Sequence, residues 1–211
     1  WSEATGATEL SLAGVDLAEV SAWLEPRLGG LGLSGRASGA LRLSREDAAA
    51  MPDVDAVVTT EGLAVRYGTD EYRGVDLGAM THVDGRTGEA GLSVSAGAAD
   101  GLLASGRAAV ELDLPALAAE PERAAELLLA SRGRATVHVP SRSLSALPEL
   151  IPPLGLEGAV DGRIEATGTL GDPMLVVVVD ARQLRAVEGP FQVPLDGSAT
   201  RSEETRLNSS H

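Results

Sequence analysis

This 211-residue chain has no cysteine, no lysine and almost no aromatic side chains, its two Trp, two Tyr and one Phe amounting to 2%. Without cysteine there is no disulfide framework and no thiolate metal site, and an oxidising or a reducing compartment is equally acceptable. So few rings can neither fill the interior of a sandwich nor offer a row of stacking platforms to bases. Positive charge is also short. Seventeen Arg stand against 31 Asp and Glu for a net charge of −14, which excludes a surface built to hold nucleic-acid phosphates. The exclusive use of Arg accompanies a wealth of Ala, Gly, Val and Leu and reads as a high-GC coding bias. The longest apolar run, residues 174–179, falls far below the roughly 18 residues that a spanning helix needs. The chain opens at Trp1 with neither an initiator Met nor a signal peptide, and is read as an internal fragment.

What is present is an ordered composition, 44% hydrophobic with a mean hydropathy of +0.05, and a phrase that occurs twice. LGLSGRASGALRLS from Leu31 and LGLEGAVDGRIEAT from Leu154 align without a gap at an offset of 123 residues (154 − 31). Leu31, Gly32, Leu33, Gly35 and Gly39 fall on Leu154, Gly155, Leu156, Gly158 and Gly162, and Leu41 falls on Ile164. Self-similarity at a long period marks a repeated supersecondary unit rather than one closed enzyme core. Within the phrase, apolar and polar residues alternate between glycines, the pattern of strands with one apolar and one polar face.

Each copy is preceded by a strand and a short amphipathic helix. In the first, the strand around Thr8 to Leu12 leads to Leu17, Val20 and Leu24 at helical spacing, stopped by Pro26 and Gly29-Gly30. In the second, Val137 and Val139 lead to Leu144, Leu147, Leu150 and Ile151, stopped by Pro152-Pro153. Between the copies, strands are expected at residues 55–60, 63–67, 74–83, 91–96 and 101–114. Glu61-Gly62, Asp84-Gly85, Thr87-Gly88 and Asp100-Gly101 separate them as turns. Ser44 and Asp47 at capping-box spacing open an Ala-rich turn to Met51-Pro52. A helical insertion over residues 115–131 bends at Pro121 and ends at Gly133. The expected units are 1–133 and a partial second copy, 134–200. The tail 201–211, RSEETRLNSSH, has the look of translated adapter sequence and is set apart.

Motifs for chemistry are scarce. Gly30, Gly32 and Gly35 satisfy G-x-G-x-x-G, but a helix precedes and a strand follows, the reverse of a dinucleotide-binding turn. His82 and His138 have no second ligand at metal spacing. Asp53 and Asp55 lack the Gly and distal Glu of a calcium loop, and no G-x-S-x-G elbow occurs. Glu120, Glu122, Arg123 and Glu126 form a solvated helix face. No catalytic residue, cofactor site or metal site is expected, and the chain is not read as an enzyme.

Residues 154–181, LGLEGAVDGRIEATGTLGDPMLVVVVDA, with Gly168, Thr169, Leu170 and Pro173 closing the repeat, resemble the recurring signature of TamB-like proteins of the AsmA superfamily. The first copy departs from it where Ser44 leads into Arg45-Glu46-Asp47. The helical phrases DLAEVSAWLEPRL and SRSLSALPELIPP are similar to that family as well. The resemblance implies a periplasmic bridge in the Gram-negative envelope, with an inner-membrane anchor helix and a region meeting an Omp85-type outer-membrane barrel, neither within this sequence. It further implies phospholipid acyl chains carried in a hydrophobic groove, in support of outer-membrane assembly. The expected fold is all-β with short helical insertions: an elongated, curled antiparallel sheet with an apolar groove, built from repeats. Alternate apolar positions are the expected groove lining: Leu41, Leu43, Leu63, Val65, Val75, Leu77, Leu92, Val94, Val110, Leu112, Val137, Val139, Ile164, Val176 and Val178. The competing expectation is a structural or adhesive β-repeat, a passenger-like solenoid with a closed, dry interior and no lipid cargo.

Overall fold

The computed structural model describes residues 5–21, 31–47, 50–67, 70–99, 101–144, 155–187 and 193–204. Eleven strands form one antiparallel sheet: β1 (Gly6–Asp16), β2 (Leu31–Arg45), β3 (Asp53–Tyr67), β4 (Asp70–Arg73), β5 (Asp76–Val83), β6 (Glu89–Ala98), β7 (Gly101–Glu111), β8 (Arg132–Ser143), β9 (Leu156–Thr169), β10 (Asp172–Ala186) and β11 (Leu195–Glu204). Ten of them follow one another in chain order, while β4 folds back on β3 off that path. Nine inter-strand spacings of about 4.8 Å make the sheet roughly 43 Å across, and an accumulated twist of 20–25° per strand turns it through roughly 200°. It does not close.

No second layer covers this sheet among the described residues. The accessible surface is 14506 Å², against about 9,200 Å² for a compact chain of this mass. Among the described residues the buried apolar ones are Leu63, Ala64 and Val75, clustered where β3, β4 and β5 meet, and no large side chain is fully buried. The backbone ladders and same-face neighbours of adjacent strands therefore supply most of the cohesion.

The helical insertion follows its caps. Asp113 accepts the Ala116 N–H at 3.0 Å and Pro115 stands in the first turn of α1 (Leu114–Ala119). Pro121 forces a restart through a 3₁₀ turn (Pro121–Arg123) into α2 (Ala124–Ala130). The insertion stops at Ser131 rather than Gly133, which lies in β8 opposite Val110 and Gly168. Its end is tied to the β9–β10 turn by the Gly171 N–H on the Leu129 carbonyl at 2.8 Å. Residues 17–21 are helical as expected, and the buried Ser21 hydroxyl accepts the Leu33 N–H at 2.8 Å. Leu24, Pro26, Gly29-Gly30, Leu147, Leu150, Ile151 and Pro152-Pro153 lie outside the described residues.

Three other expectations change. Glu61-Gly62 does not reverse the chain, and the two strands expected on either side of it are the single strand β3. Gly62 is left-handed, at φ 63°, and holds a β-bulge instead of a turn. The expected capping turn after Ser44 is displaced because β2 runs on through Arg45, and the Asp47 carbonyl accepts the Ala50 N–H at 3.1 Å and the Arg45 Nε–H at 3.2 Å. At the other end, Arg201–Glu204 of the tail that the sequence sets apart pair with β10. Residues 205–211 lie outside the described residues.

The two copies of the glycine phrase occupy matching places in the pairing scheme. On one side of β2 the register slips between Leu12↔Gly39 and Val15↔Ala37; on the same side of β9 it slips between Val139↔Gly162 and Arg142↔Val160. On the other side, Ser34↔Ala64 and Arg36↔Glu61 correspond to Glu157↔Arg185 and Ala159↔Arg182. Each of these β2 positions precedes its β9 counterpart by 123 residues (162 − 39, for example). The neighbouring strand carries the extra residue every time, so both copies are flanked by bulges at the same steps.

Gly35 and Gly158 lie at those steps with φ of 113° and 125°. A Cβ at Gly35 would sit 2.6 Å from the Gly62 carbonyl oxygen, and one at Gly158 would sit 2.7 Å from that of Gln183. The opposing bulge residues, Gly62 and Gln183, are both left-handed. Glycine in the phrase thus admits a close backbone approach.

Candidate functional site

Antiparallel partners share a face, so the registers sort every paired side chain to one side of the sheet or the other. One rung reads Leu12, Gly39, Val58, Ala79, Val94, Gly106, Val137, Ile164 and Val177 across nine successive strands of the path. The rung beside it reads Leu10, Leu41, Ala56, Thr81, Leu92, Ala108, Ala135, Ala166 and Leu175. Neither carries a charge until β11, where Arg201 stands opposite Val177.

Large and small residues alternate along the first rung from Leu12 to Val137, so branched side chains there lean over their small neighbours. A Cβ at Gly106 would lie 2.9 Å from a Val94 methyl and 3.5 Å from a Val137 methyl. The face is open to solvent: Leu10 is 58% exposed, Val58 49% and Val94 41%. The exposed apolar residues are thus contiguous across the strands rather than scattered singly over the surface.

The opposite face is polar. It carries Asp55, His82 and Arg134 on one rung and Ser95, Ser105, His138 and Arg163 on another. Its ion pairs are exposed, as in Arg163 with Glu165 at 2.6 Å and His82 Nδ1 with Asp55 at 2.7 Å. The hydrogen bond to Asp55 raises the His82 pKa above its usual value; slight desolvation opposes it, and the charges of Asp55, Asp53 and Asp84 add to it. Asp84 is held low by the backbone N–H groups of Thr87 and Arg86, which its carboxylate caps in the β5–β6 turn. A shallow hollow of about 640 Å³ indents this side, with Val57, Met80, Arg107 and His138 in its lining. No group of three or more His, Asp or Glu able to hold a metal ion occurs among the described residues.

No protein-family model matches the chain, and no curated protein or solved structure is significantly similar to it. The resemblance to TamB-like proteins therefore rests on the residues that carry it.

The expected lining divides into five groups. Leu41, Leu43, Leu77, Leu92, Val94, Val110, Val137, Val139 and Ile164 share the apolar face. Val65, opposite Leu33, lies beyond the Gly62 bulge. Leu63 and Val75 are buried at the β3–β5 corner, 8% and 7% exposed, and Leu112 follows the end of β7 with its N–H on the Gly88 carbonyl. Val176 and Val178 are a correction: they pair with Glu165 and Arg163 on the polar face, while Leu175, Val177 and Val179 take the apolar one.

A run of four consecutive valines has no period-2 signal, so only the register could assign its faces. The sequence reading also missed Leu10 and Leu12, although the alternation of β1 displays them, and Val54 and Val58, which β3 obscures by placing Val57 between apolar neighbours.

Proposed function

We propose that this chain is a repeat-built segment of an envelope-spanning, periplasmic bridge whose apolar sheet face serves as a groove for phospholipid acyl chains. The observation that carries this reading is the uncharged, solvent-open face running across nine strands from Leu12 to Val177. Moving a sixteen-carbon tail through water costs on the order of 12 kcal/mol at about 0.8 kcal/mol per CH₂. A continuous apolar surface removes most of that barrier without catalytic groups or a metal. The matching bulges around Gly35 and Gly158 support the repeat architecture. In such a bridge the inner-membrane anchor and the Omp85-type barrel engage other segments. A solenoid with a dry interior fits less well, since no large side chain is fully buried among the described residues.

The test is the phospholipid that co-purifies with the protein, quantified by mass spectrometry. Val58→Arg and Val94→Arg lose most of it, whereas Thr59→Arg and Ser93→Arg on the polar face retain it. Equal retention by all four variants removes the support for the groove.

A further inference from the structure

The sheet path ends at β1, whose outer side has no partner strand among the described residues. Its counterpart in the second copy is β8, because the slip after Leu12 corresponds to the slip after Val139, an offset of 127 residues (139 − 12). That offset places Thr5 on Arg132, Gly6 on Gly133, Thr8 on Ala135 and Leu10 on Val137. The outer side of β8 is occupied by β7, with Gly106 opposite Val137, Ala108 opposite Ala135 and Val110 opposite Gly133.

We infer that the free edge of β1 is a seat for one further antiparallel strand of β7 character, with a small residue opposite Leu10 and Ser or Arg on the polar side. Leu12 is 57% exposed where its counterpart Val139 is 36%. The strand Gly6–Asp16 also lacks the lysine, proline and inward-pointing charge that usually blunt an exposed edge. The β7–β8 interface thus specifies direction, register and side-chain chemistry for the occupant of β1. A second copy of the chain offers a worse match at its far edge, because β11 places Arg201 on the apolar face. The inference rests on registers alone, so the outcome of the lipid assay does not bear on it.

The experiment replaces residues 1–4 with a copy of residues 101–131, so that a strand and its helical insertion precede β1 as they precede β8. Amide hydrogen exchange across β1 is compared between parent and grafted chains. The expected result is at least about tenfold slower exchange over Thr8 to Leu12 in the grafted chain. Arg107→Pro within the grafted copy removes a ladder donor and restores the parent rate. Equal exchange in parent and graft overturns the inference. So does slowing that survives the proline, or protection of β1 in the parent that grows with protein concentration, since a second copy then fills the edge.

Discussion

Replacing Gly35 by Ala tests whether the bulge geometry governs this sheet. At φ 113° an L side chain is strained, and the new Cβ would lie 2.6 Å from the Gly62 oxygen, 2.9 Å from its carbonyl carbon and 3.0 Å from the Glu61 oxygen. All three are backbone atoms, so no side chain can swing aside. Left-handed strain costs about 1–3 kcal/mol and forced overlap about 1–3 more, a total of about 2–6 kcal/mol. Against a typical stability of about 5–15 kcal/mol this is a severe loss. With a urea slope of about 2–3 kcal/mol/M, the unfolding midpoint falls by about 0.7–3 M.

Gly158→Ala meets the oxygens of Gln183 and Arg182 at 2.7 and 2.8 Å and loses a similar amount. Gly197→Ala is the control: nothing lies within 4 Å of its added Cβ, and it is neutral or stabilising by up to about 1 kcal/mol. If Gly35→Ala and Gly158→Ala each shift stability by less than about 0.5 kcal/mol, the bulges do not constrain the sheet and the reasoning fails.

Asp113→Ala removes the N-cap of α1 and lowers stability by about 1 kcal/mol in chemical denaturation, while Asp113→Asn retains most of it. The His82–Asp55 pair gives a pH dependence of defined sign. Its raised folded pKa contributes stability fully below the ordinary histidine value of 6.5 and loses it as pH rises through the folded value. The loss is at most about 1 kcal/mol because both partners are exposed, and His82→Gln flattens the denaturation profile in that window. Val177→Asp and Val178→Asp differ by one residue but occupy opposite faces. The first reduces co-purified phospholipid and the second leaves it near the parent amount.

The strand content was legible because the chain alternates cleanly where one face is apolar, as in Leu41 and Leu43 or Leu92 and Val94, and because Asp84-Gly85 supplies turn chemistry. The doubled phrase located β2 and β9. Illegible were features decided by pairing rather than by local pattern. Left-handed Gly62 is as suited to a turn as to a bulge, and its counterpart is Gln183, so similarity of sequence could not reveal that both hold the same bulge. Residues 176–179 are all valine, and their faces follow from β9 and β11. Leu63 and Val75 continue the alternation of exposed neighbours but are buried by the convergence of three strands, a property of topology rather than of spacing. The continuous rung from Leu12 to Val177 was visible only in fragments, since it unites residues from nine strands.

The central claim is that phospholipid tails lie on that rung and not behind it. A photoreactive benzoyl-phenylalanine placed at Val94, and in a second variant at Ser93 next to it on the opposite face, tests this most directly in envelope preparations. The account predicts phospholipid adducts from position 94 and few or none from position 93. Adducts of equal yield from both positions, or none from position 94, contradict it.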